Sequence, residues 1–151
     1  MSLYSLLKFV HVLLAIVAVG FNASYAIWIA RAAREPAHLS HTLRGIKILD
    51  DRFANPAYGL LLLTGLAMTF LVKLPLTTFW VAGALVLWLL AMGLGVGAYT
   101  PTLRRQIQAL EVGGADSPEF QRLAQRGAIL GIILAVIVIG IVFLMVVKPV
   151  L

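Results

Sequence analysis

Long apolar runs alternate with short polar connections along the chain. Phe9 to Ala30 holds a single side chain from the set Asp, Glu, Lys, Arg and His, namely His11, and Phe53 to Val72, Leu74 to Leu103 and Gly127 to Val147 hold none. A bilayer core about 30 Å thick is crossed by roughly 20 apolar residues in a helix. Backbone groups in hydrocarbon must satisfy their own hydrogen bonds, so such runs are helices. The pattern predicts an all-α, four-transmembrane-helix bundle of two hairpins, with spans at about 5–30, 55–72, 77–100 and 127–147 within one integral membrane domain covering 1–151. Asn55-Pro56 reads as the N-cap and first-turn proline of the second span, and Ser117-Pro118-Glu119 as the start of the last helix.

The connections carry a helical period of their own. Leu39, Leu43, Ile46, Leu49 and Phe53 predict an amphipathic helix over Ala37 to Phe53 that lies on the membrane or caps the bundle. Leu103, Ile107 and Leu110 continue the third span in the same manner before Gly113-Gly114 turns the chain.

Composition agrees with a lipid-facing surface: 62% of the 151 residues are hydrophobic and 12% are charged, against about a quarter charged in soluble domains. The net charge of +6 does not indicate nucleic acid, because the basic residues form no patch interleaved with aromatics. Instead Arg31, Arg34, Arg44, Lys47 and Arg52 fall in the first connection and Arg104, Arg105, Arg122 and Arg126 in the third. The positive-inside rule then places both in the cytoplasm of an inner (plasma) membrane, with both termini outside. Lys8, Lys73 and Lys148 fall at the outer ends, where lysine snorkels to the headgroups. Lys8, the apolar run from Phe9 and the small residues Ser24 and Ala26 imitate a cleaved leader. The run continues through Ile27 to Ala30 into Arg31 and Arg34, so a retained helix is expected. Cysteine is absent, which removes disulfides, thiolate metal sites and thiol nucleophiles.

Candidate chemistry concentrates on the first span. Tyr4, Lys8, His11, Ala15, Ala18, Asn22, Tyr25 and Ile29 alternate steps of four and three, which places them on one seam. Polar groups avoid lipid, so the seam should face the bundle interior. His11, with Lys8, Asn22 and Tyr25 as polar support, is the candidate ligand-binding site. It reads either as a neutral imidazole bonded to a neighbouring helix or as a functional group: a haem ligand, a copper ligand, or a proton or quinone site. Met68 and Met145 fall in the same half of the membrane, so haem b or copper held by His11 and a methionine is the redox alternative. His38 and His41 share one helix face but two histidines do not complete a metal site. All six acidic residues, Glu35, Asp50, Asp51, Glu111, Asp116 and Glu119, fall in the connections, leaving no carboxylate relay for a proton-driven pump. Gly93, Gly95, Gly97 and Ala98 imitate a dinucleotide motif but lie inside a span. Gly93 with Gly97, and Gly127 with Gly131, read as small-residue helix-packing pairs. The sequon Asn22-Ala23-Ser24 falls in the membrane. The expected class is a binding, accessory or transport-related membrane protein, without a catalytic constellation, whose surroundings are the lipid bilayer and a second copy or a membrane-complex partner.

Leu6-Leu7-Lys8-Phe9-Val10-His11-Val12-Leu13 with Gly20, Asn55-Pro56-Ala57 leading to Leu63-Thr64-Gly65, Gly113-Gly114-Ala115-Asp116 and Phe143-Leu144-Met145-Val146-Val147-Lys148-Pro149 resemble a family of small bacterial inner-membrane proteins known as a domain of unknown function. That resemblance implies four spans and no established activity. The stretch Lys8 to Val12 with Gly20 is also similar, more faintly, to the start of membrane proteins that handle copper or act in haem-pathway oxidation. Further membrane histidines of those families are missing here.

Overall fold

The structure is a computed structural model and describes residues 2–149. Its helices are α1 (Leu3–Ala32), α2 (Pro36–Leu49), α3 (Asn55–Leu71), α4 (Phe79–Leu94), α5 (Thr100–Gly113) and α6 (Pro118–Val147). A π turn at Asp50–Ala54 joins α2 to α3, and a second at Gly95–Tyr99 joins α4 to α5. The result is four helices long and apolar enough to cross a membrane: α1, α2 through α3, α4 through α5, and α6. Ser2 caps α1 by accepting from the Ser5 N–H at 3.1 Å, and Ser117 caps α6 by accepting from the Phe120 N–H at 3.3 Å.

Asn55 is not the expected N-cap. It has helical dihedrals and no capping bond from its side chain to a backbone N–H, and the helix runs on through it. A proline inside an α-helix lacks a donor and clashes with the carbonyl four residues back. Both π turns stand directly before such a proline: Asn55 N–H bonds to the Asp50 carbonyl and Thr100 N–H to the Gly95 carbonyl, five residues back, one residue ahead of Pro56 and Pro101. The wider turn makes room for the ring and keeps the helix continuous.

Packing is uneven. α1 lies along α3, and α4 along α6, while α2 and α5 meet across one end of the bundle. The dense core sits at that end, where Leu39, Leu43 and Ile46 of α2 close on Leu103 and Ile107 of α5 and on Phe120 and Leu123 of α6. The amphipathic helix therefore caps the bundle. This is also the end that carries the nine basic residues of the first and third connections. At the opposite end Lys148 stacks on Trp80, with Nζ 5.2 Å from the ring centroid. α3 and α4, although joined by a short hairpin, do not pack along their lengths; Trp88 reaches across, Nε1–H donating to the Tyr58 carbonyl at 3.2 Å.

Candidate functional site

The two helix pairs leave a cavity of about 530 Å³ between α1, the second π turn and α6. Most of its wall is apolar: Val19, Ala26 and Ile29 from α1, Met92 and Val96 near the second π turn, and Ile132, Val138 and Ile139 from α6. Exposed alanines, Ala26 and Ala30 on α1 and Ala128 and Ala135 on α6, border its lipid-facing side. Gly131 lines it too, and a Cβ built there meets nothing within 4 Å.

Polar groups gather at the end nearest α2 and α5. Asp50, which the sequence places in the first connection, is only 4% exposed. Its carboxylate Oδ2 accepts from the Thr100 hydroxyl at 3.0 Å and from Asn55 Nδ2 at 3.3 Å. The two residues that precede the helix prolines thus converge on one oxygen, and Oδ1 receives no hydrogen bond among the described residues. Burial raises the Asp50 carboxyl above the usual carboxylate range; the Asp51 charge adds to this, while the Thr100 and Asn55 bonds and Lys47 pull it back. Lys47 itself pairs with Asp51.

Three tyrosines, Tyr25, Tyr58 and Tyr99, line this same cavity. Asn22 Nδ2 donates to the Tyr58 hydroxyl at 3.0 Å and to the Ala18 carbonyl at 2.9 Å. Tyr25 is 3% exposed, and its hydroxyl is buried with no hydrogen-bond partner among the described residues. A buried hydroxyl left unpaired is unfavourable, and Tyr25 lines the same cavity as Asp50.

The predicted seam on α1 is divided by the structure. Asn22 and Tyr25 line the cavity, and Ala18 is fully buried. His11 instead serves the contact between α1 and α3: its Nδ1 lies 2.8 Å from Thr64 Oγ1. The Thr64 hydroxyl also lies 2.8 Å from the Leu60 carbonyl, so the imidazole and the α3 backbone share one hydroxyl. Gly65 keeps room for the ring, since a Cβ there would sit 3.3 Å from His11 Cε1. The ring thus lies in hydrogen-bonding contact between α1 and α3. Lys8 is exposed, and neither Met68 nor Met145 is a hydrogen-bond partner of His11. His38 faces solvent beside Glu35 at 3.6 Å, and His41 is exposed as well. Among the described residues no three His, Cys, Asp or Glu side chains gather as a metal-ion site. Gly93 and Gly97 are exposed, and a Cβ at either meets nothing within 4 Å, so this pair makes no close helix crossing within the chain.

Asp50, Tyr58, Tyr99 and Thr100 were not among the residues expected at the site. A signal for Asp50 was present: Leu39, Leu43, Ile46 and Asp50 follow steps of four, three and four, which puts the carboxylate on the buried row of α2.

Four apolar helices around a half-enclosed cavity define a multi-pass integral membrane protein. The chain belongs to the family described as predicted integral membrane protein DUF2269, which it matches over residues 5–149. No curated protein and no solved structure matches it.

Proposed function

We propose that the protein binds an amphiphilic small molecule taken from the bilayer, its apolar body lying in the cavity and its polar head at Asp50 and Tyr25. The observation that carries this is the cavity itself, apolar along its length with the unpaired Tyr25 hydroxyl and the Asp50 carboxylate on residues at one end. Its volume of about 530 Å³ falls within the roughly 300 to 1,000 Å³ of small-molecule sites. The small residues bordering the lipid-facing side support lateral access between α1 and α6. A binding or transport-related role in an inner membrane follows. The two basic connections are read as cytoplasmic by the positive-inside rule, which sets the polar end near the cytoplasmic surface.

Equilibrium dialysis of the detergent-solubilised full chain, with tetraphenylphosphonium and the neutral triphenylphosphine oxide as probes, tests this reading. At least one probe should bind, and Gly131→Leu should abolish that binding without lowering the melting temperature, because its side chain enters open space. Failure of both probes to bind, or binding indifferent to Gly131→Leu, sinks the proposal. A dimer that Gly131→Leu converts to monomer would assign the cavity mouth to a second copy instead.

A further inference from the structure

Resting on that binding reading, we propose that the polar end of the cavity is a site for an organic cation, an amine or quaternary ammonium on an apolar body, with Asp50 as its counter-ion. Asp50 is a carboxylate 4% exposed whose bonds all fall on Oδ2. Two neutral donors from opposite helix pairs fix that oxygen and stabilise the charged form. They leave Oδ1 without a partner, and the Asp50 side chain makes no ion pair among the described residues. The nearby cation, Lys47, is committed to Asp51. A buried carboxylate held in place but uncompensated is electrostatically completed by a positive charge, and the cavity is the space from which one can arrive.

The remaining walls of the polar end suit a cation better than an anion. Tyr25, Tyr58 and Tyr99 bring three electron-rich rings to it, and such rings attract alkylammonium groups, most strongly where water is excluded. The Tyr25 hydroxyl, buried without a partner, offers a lone pair to an N–H donor. Among the described residues no Lys, Arg or His lines the cavity, so none of them there repels a positive head or holds a negative one.

The test separates this inference from the binding reading it rests on. Tetraphenylphosphonium should bind the full chain in dodecylmaltoside more tightly than triphenylphosphine oxide. Asp50→Asn, which keeps the shape and can still accept from Thr100, should weaken the cation by about tenfold or more and leave the neutral probe unchanged. Cation binding to the wild type should also weaken as the pH is lowered and the carboxyl takes up its proton. The groups around Asp50 are Lys47, Asp51, Tyr25, Tyr58 and Tyr99; an Asp51→Asn control should keep the loss of binding in acid, moved to lower pH because the Asp51 charge no longer raises the Asp50 carboxyl, and tyrosines do not titrate in acid. Should Asp50→Asn fail to fold, the wild-type pH profile decides alone. Equal affinity for both probes, or cation binding unmoved by Asp50→Asn or by pH, overturns the cation assignment while the cavity reading stands. If neither probe binds, both fall.

Discussion

At the scale of single residues, Asp50 is the group whose placement and chemistry pull apart. Burial raises its carboxyl above the ordinary carboxylate range, so the folded chain holds this proton more tightly than the unfolded one. The sign follows from linkage: the contribution of Asp50 is fully present below the unfolded-state value and is lost as pH rises through the raised folded-state value. Asp50→Asn should therefore match the wild type in apparent melting temperature at acidic pH and exceed it increasingly toward neutrality. A neutral-pH melt of the variant below that of the wild type would mean that the Thr100 and Asn55 bonds outweigh burial. Such a gain on removing a side chain is what a binding group held at the expense of stability produces. Part of this site was legible in the sequence. Asn22 and Tyr25 stand on the seam of period 3.5 that Lys8, His11 and Asn22 mark out along one face of an apolar helix. Asp50 was hidden by its neighbours Asp51 and Arg52, which make the segment look solvated although the 39-43-46-50 row continues through it. Tyr58, Tyr99 and Thr100 carry no such signal, because a hydroxyl in an apolar run does not disturb its hydropathy.

Among the elements, α2 and α5 hold the bundle together at one end, and the reason is solvent. Along the spans, helix contacts gain little from the hydrophobic effect because lipid tails are as apolar as leucine. At the capped end apolar side chains withdraw from one another's aqueous surroundings instead. Leu43 is fully buried there, whereas Leu89 of α4 is 63% exposed and faces the bilayer. Leu43→Ala should cost about 2–5 kcal/mol of stability, and Leu89→Ala close to none, in thermal unfolding of the detergent-solubilised protein. Comparable losses at both positions would contradict a core confined to the cap. The amphipathic period of both helices was readable in the sequence. Their continuity with α3 and α4 was not, because Asn55-Pro56 has the composition of a helix start and only the three-dimensional turn shows how a proline is accommodated inside a helix. The same device before Pro101 brings Thr100 to Asp50, so two sequence-distant prolines together set the geometry of one carboxylate.

For the whole molecule, the distribution of charge and the direction of the cavity are linked. The end with α2, α5 and nine basic residues is also the end with Asp50, so the side of the membrane on which those basic residues stay is the side nearest the polar end of the cavity. An amphiphile lying in the cavity would have its polar group near that surface and its apolar body toward the bilayer midplane, the orientation it already has in one leaflet. The absence of native cysteine makes the membrane sidedness directly measurable with single introduced thiols. Val112 near the end of α5 is 91% exposed, and Lys73 is exposed in the α3–α4 hairpin at the far end. With the basic connections in the cytoplasm, Lys73→Cys should react with a membrane-impermeant maleimide in intact cells, and Val112→Cys only after the membrane is opened. The reverse pattern would put the head site at the outer leaflet, leaving the cavity and its carboxylate in place but reversing the leaflet from which a ligand is drawn.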